Sequence, residues 1–182
     1  MSDQINLNNN LSPNSVRFAE FRMRQGKDQV ARVGVRPGGT ATVPTGHTYK
    51  AQAFTMTGRV SLSSEVISFT DDSAMLLAQM EVNNEFLDFN LELQPGSQPS
   101  AIVCENTWKE PVTIKVWRDN SPLQTARVVS EHNTLAISTA QEWEVYAIVD
   151  GITTQPLFVD DPNAVINLLK DNNDSGYYLQ LA

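Results

Sequence analysis

Short residue patterns in the first half of this chain return, in the same order, in the second. Ala31-Arg32-Val33 recurs as Ala126-Arg127-Val128. Phe21-Arg22 is answered by Trp117-Arg118, and Ile5 to Pro13 runs alongside Ile102 to Pro111. Val43-Pro44-Thr45 matches Ile137-Ser138-Thr139, Tyr49 matches Trp143, and Ala53-Phe54 lines up with Ala147-Ile148. Phe69-Thr70-Asp71-Asp72 falls on Phe158-Val159-Asp160-Asp161, and Asn83-Asn84 on Asn172-Asn173. A shared order with small changes of offset marks a duplicated unit, and two copies are too few for a solenoid. The sequence therefore predicts two like domains in tandem, 1–94 and 101–182. The segment 95–100, Pro-Gly-Ser-Gln-Pro-Ser, has linker composition.

Within each half the apolar residues recur at every second position. Val112, Ile114 and Val116 alternate with Thr113, Lys115 and Trp117; Ala31, Val33 and Val35 alternate with Arg32, Gly34 and Arg36. Successive side chains leave opposite faces of a pleated strand, so this period reads as half-buried β-strands. Gln25-Gly26-Lys27-Asp28, Pro37-Gly38-Gly39, Asp119-Asn120-Ser121-Pro122 and Asp150-Gly151 supply turns between them. The expected fold is mainly β: two tandem, internally duplicated antiparallel β-sandwich or small-barrel domains. Residues 73–80 and 164–170 break the alternation. Asp161-Pro162 starts a helix well, with an Asp cap and Pro at the first position, so each half has room for one short helix there, with a central strand as the alternative.

Composition excludes several functions. The 182 residues carry 13 Lys+Arg against 21 Asp+Glu, a net charge of −8, which argues against nucleic acid as a partner. The single cysteine, Cys104, excludes a disulfide framework. No run approaches ~18 apolar residues, so no membrane span is expected. The first ten residues carry no secretory signal, which leaves a cytoplasmic protein or export by a non-classical route. His47 and His132 both read as turn residues, Cys104 as a buried strand thiol, and no nucleophile–base pair, phosphate loop or dinucleotide fingerprint is present. The chain reads as a non-enzyme without an essential cofactor.

Three groups of residues carry what chemistry there is. Trp117 and Phe86 lie on the polar sides of their strands and Trp108 in a turn; an aromatic plate beside Asn, Asp and Thr is how proteins stack on sugar rings. The paired carboxylates Asp71, Asp72, Asp160 and Asp161 suit polyol or cation binding, or else cap backbone amides. Asp171, Asn173 and Ser175, in D-x-N-x-S-G, are the ligands for calcium if one binds, although position twelve of such a loop is Ala182 and not Glu. The expected function is a binding module for a carbohydrate or cell-surface ligand, lectin-like, with one site per half. Self-assembly as a particle, pilus-like or inclusion component, with a homo-oligomer as its form, is the alternative. A toxin or effector acting on another cell is the third reading.

Overall fold

A computed structural model describes residues 3–14, 18–173 and 176–182. Among them are eighteen strands and no helix. The chain divides into two compact units: Met1–Gly46 with Gln141–Ala182, and His47–Ala140.

The first unit opens with β1 (Gln4–Asn9), β2 (Ala19–Gln25), β3 (Asp28–Val35) and β4 (Thr40–Pro44). The second holds β5 (Tyr49–Thr57), β6 (Val60–Ser63), β7 (Ile67–Phe69), β8 (Ala74–Asn83), β9 (Phe86–Pro95), β10 (Ala101–Asn106), β11 (Val112–Arg118), β12 (Ser121–Val128) and β13 (Thr134–Ser138). The chain then returns to the first unit with β14 (Trp143–Val149), β15 (Ile152–Thr153), β16 (Leu157–Val159), β17 (Val165–Lys170) and β18 (Tyr177–Leu181).

Each unit has a four-stranded and a five-stranded sheet. The orders are β18-β17-β1-β4 and β15-β14-β2-β3 in the first unit, and β9-β8-β10-β13 and β6-β5-β11-β12 in the second; β16 pairs with β14, and β7 with β5. Advancing every strand by nine, with β1 following β18, turns one set of orders into the other. The side chains follow the same scheme. Thr45 Oγ1 donates to the Pro162 carbonyl and Thr139 Oγ1 to that of Asp72. Ser64 Oγ accepts the Ala53 amide as Thr154 Oγ1 accepts that of Ala147.

The compact units thus cross the sequential halves 1–94 and 101–182, and their boundaries fall at 46/47 and 140/141. The segment 95–100 lies inside the second unit and is tied down there. The Gly96 amide donates to the Ser73 carbonyl, Ser73 Oγ to the Gln98 carbonyl, and the Thr139 amide to the Ser100 carbonyl. This loop carries the chain past the start of β8 to its far side, so closely that a Cβ on Gly96 would sit 2.6 Å from the Ala74 nitrogen.

One expectation is corrected, and one open alternative is resolved in favour of the strand. The sheets are not wholly antiparallel: β1 runs parallel to β17, and β8 parallel to β10. Residues 73–80 and 164–170 are not helical: 74–80 lie in β8 and 165–170 form β17, each strand flanked by a strand on both sides. Asp161 does act on the backbone, since its Oδ1 accepts the Asn163 amide at 2.8 Å, yet the turn it closes opens a strand. Asp71 does the same with the Ser73 amide at 2.9 Å. Asp71 therefore corresponds to Asp161 and Phe69 to Val159, one residue later than the sequence match suggests.

Each unit buries one hydrophobic cluster fed by both of its sheets. In the second unit Leu76, Ala78, Ile102, Cys104 and Ile137 of one sheet meet Tyr49, Ala53, Ile114 and Val116 of the other. In the first, Ile5, Leu7, Ile166 and Leu168 meet Phe21, Trp143, Val145 and Ala147. The alternation read from sequence supplies these inward faces and leaves the outward faces of the five-stranded sheets polar and aromatic.

Candidate functional site

The outward face of the second unit's five-stranded sheet gathers the most chemistry. On β5, Tyr49, Ala51 and Ala53 are buried while Lys50, Gln52 and Phe54 face out; on β11, Val112, Ile114 and Val116 are buried while Thr113, Lys115 and Trp117 face out. Antiparallel pairing sets Trp117 opposite Lys50, Lys115 opposite Gln52 and Thr113 opposite Phe54. On the other side β12 sets Arg127 opposite Thr113 and Thr125 opposite Lys115. The β11–β12 register slips between Val116 and Trp117, which lets Trp117 face Pro122.

Trp117 stands between two grooves. One, of about 360 Å³, is lined by Lys50, Gln52, Val66, Trp117 and Asn120. The other, of about 310 Å³, includes Lys115, Trp117, Pro122, Leu123 and Thr125. A larger groove of about 800 Å³ continues towards the far end of β11, where Phe54, Met56, Leu62, Pro111, Glu110 and Arg127 line it. The Lys50 Nζ donates to Asn120 Oδ1 at 2.8 Å, and the Lys115 Nζ lies 5.0 Å from the centre of the Phe54 ring.

The other aromatic candidates sit elsewhere. Trp108 follows β10 and packs on the buried cluster of the second unit; its indole N–H is buried without a hydrogen-bond partner among the described residues, and the Lys109 Nζ lies 5.3 Å over its ring. Its backbone amide donates to Asn106 Oδ1. Phe86 is 77 % exposed at the end of the β8–β9 hairpin, on the other sheet.

The paired carboxylates occupy turns. Asp71 and Asp161 accept backbone amides as described above, Asp160 is exposed, and the Asp72 carbonyl receives Thr139. Asp171 Oδ1 accepts the Asn173 amide at 2.9 Å; Ser175 lies outside the described residues. Among the described residues no three His, Cys, Asp or Glu side chains are placed to hold a metal ion. Cys104 is fully buried in β10, and burial pushes its thiol up to about 12.

One pairing is not evident from the sequence pattern. Asp119, in the turn between β11 and β12 with φ +49°, accepts the Thr48 amide at 3.0 Å through Oδ1, while Oδ2 meets His47 Nδ1. Burial opposes ionisation of Asp119, but the Thr48 amide, His47 and the Arg118 charge outweigh it and hold the carboxyl below its ordinary value. The pair fastens the chain just before β5 to the β11–β12 turn. The only hint in sequence is the Asp-Asn turn itself.

No protein-family model, curated protein or solved structure matches the chain.

Proposed function

We propose that the chain is a non-enzymatic, lectin-like binding module whose ligand lies across Trp117 on the outward face of β5 and β11. The observation that carries this reading is the setting of Trp117: a half-buried indole with a groove on each flank, bordered by the Lys50, Gln52, Asn120 and Thr125 side chains. An apolar plate with donors and acceptors at its rim matches a sugar ring, which offers a C–H face and a belt of hydroxyls. The matching strand orders and the single cluster shared by the two sheets of each unit support an architecture of two duplicated sandwiches, each built from the leading strands of one repeat and the closing strands of the other.

The reading places one such site in the chain, not one per half. In the first unit Ala147 pairs with Phe21 as Ala53 pairs with Ile114, so Arg24 stands where Trp117 does and Glu144 where Lys50 does. A glycan array probed with the wild-type protein and with Trp117→Ala tests it. Binding by the wild type that the variant loses, with a melting temperature lowered by no more than about 4 °C, is the expected result; retention by both sinks the assignment.

Self-assembly is the second reading, and the β8–β9 hairpin favours it. Val82, Phe86, Leu87 and Leu93 are 68 %, 77 %, 44 % and 43 % exposed, a large apolar surface for one hairpin. Sedimentation over a range of concentrations tests it, and a strictly monomeric protein at the highest concentration removes it.

A further inference from the structure

We propose that the ligand of the Trp117 face is an anionic glycan, one bearing uronate carboxylates or sulfates, laid along β5 and β11. The inference rests on the lectin-like reading and adds the charge and length of what is bound.

The two five-stranded sheets share strand order and register, yet they treat their cations in opposite ways. In the first unit Glu20 neutralises the outward face: its Oε1 lies 2.6 Å from Arg22 Nε and its Oε2 3.0 Å from Arg32 Nη2. Hydrogen bonds from Arg32 and Arg22 hold the Glu20 carboxyl below its ordinary value. Arg24 lies 5.5 Å from the centre of the Tyr146 ring and opposite Glu144. In the second unit Thr113 stands in the place of Glu20, and Lys50 in that of Glu144. Carboxylates that balance one sheet are replaced by a hydroxyl and a further cation on the other.

Lys50, Lys115 and Arg127 share one face; Glu110 lines the same groove as Arg127, yet no described carboxylate lies within ion-pairing distance of the three. Lys50 and Lys115 are diagonal neighbours on adjacent strands, an arrangement that repels unless an anion lies between them. In a chain of net charge −8 such a cluster is a local reversal of sign. The Lys50 ammonium has three N–H groups and gives one to Asn120, so others remain for a ligand. Between Thr113 and Trp117 the face runs roughly 13 Å at ~3.3 Å per residue, with Phe54 and Trp117 as platforms at the two ends. That length suits several sugar rings in a row. Nucleic acid, with a phosphate on every nucleotide, is the rival polyanion, and the oligothymidylate in the test distinguishes it.

The test is binding to immobilised neutral, uronate-bearing and sulfated glycans and to an oligothymidylate, at low and high NaCl, with folding checked by thermal melting. Binding to the acidic glycans that weakens as NaCl rises supports the proposal. Lys50→Gln and Lys115→Gln should each weaken it about two- to fivefold, while Arg24→Ala on the other sheet leaves it unchanged. Binding confined to neutral glycans, acidic-glycan binding indifferent to Lys50→Gln and Lys115→Gln, or a preference for the oligothymidylate overturns the proposal. Neutral-glycan binding would leave the lectin-like reading standing; no glycan binding of any kind would remove both.

Discussion

Asn9 and Asn106 occupy matching places in the two units and make the same pair of hydrogen bonds. Both are fully buried. The Nδ2 of Asn9 donates to the Val35 carbonyl at 2.8 Å and its Oδ1 accepts the Leu11 amide; the Nδ2 of Asn106 donates to the Val128 carbonyl at 3.2 Å and its Oδ1 accepts the Trp108 amide. Each side chain ties the end of β3 or β12 to the segment that follows β1 or β10, satisfying a carbonyl and an amide at once. Asn9→Ala or Asn106→Ala should therefore cost about 1–3 kcal/mol, the range for buried groups left unsatisfied, as read by urea denaturation. A cost within experimental scatter of zero would show that water reaches both sites.

Two tryptophans should separate binding from stability. Trp143 is 3 % exposed in β14, inside the cluster of the first unit, and Trp143→Ala should cost about 3–5 kcal/mol. Trp117→Ala should cost about 1 kcal/mol or less and abolish ligand capture. Denaturation curves beside binding isotherms check the pair.

The sign of one pH effect follows from Asp119. Its folded-state pKa is depressed, so its contribution to stability is complete above the ordinary Asp value of about 3.9 and is lost as pH falls through the lower folded value. The melting temperatures of wild type and Asp119→Asn should differ by a constant amount at neutral pH and converge as the medium is acidified below about pH 4. A difference that persists unchanged into strong acid would exclude this origin.

Cys104 should be silent towards thiol reagents in the native state. With the thiol pushed to about 12 and no exposed surface, it offers neither thiolate nor access at pH 8. Labelling by iodoacetamide should appear with urea, in step with unfolding; rapid labelling of native protein would contradict the burial.

How much of this was legible in the sequence depended on the range of the interaction. Val112-Thr113-Ile114-Lys115-Val116 announced a strand because one of its faces is polar. Val165-Ile166-Asn167-Leu168-Leu169 did not, since a central strand beside a parallel partner loses the polar alternation. The Asp161-Pro162 start signal was real chemistry with a different sequel, because the same hydrogen bond from a backbone N–H to an Asp carboxylate that caps a helix also closes a turn into a strand. Ala31-Arg32-Val33 and Ala126-Arg127-Val128 matched by letters, yet the bonds from Asn9 and Asn106 make Val35 the counterpart of Val128, two residues away. Local likeness also says nothing about which strands pair, so the interleaving of the units was invisible. Trp117 was visible as an outward aromatic. The company of Lys50 was not, because the two meet only through the β5–β11 register, and His47 met Asp119 across 72 residues in the same way.

The interleaving fixes an order of events during synthesis. Strand β1 lies between β4 and β17, and Asn8 meets Asn167 across a separation of 159 residues. As the chain leaves a ribosome, the nine strands of 47–140 are all present before β17 has been made. The middle of the polypeptide can close on itself while β1 waits with one neighbour missing, and the slow, long-range join between the two ends of the sequence comes last.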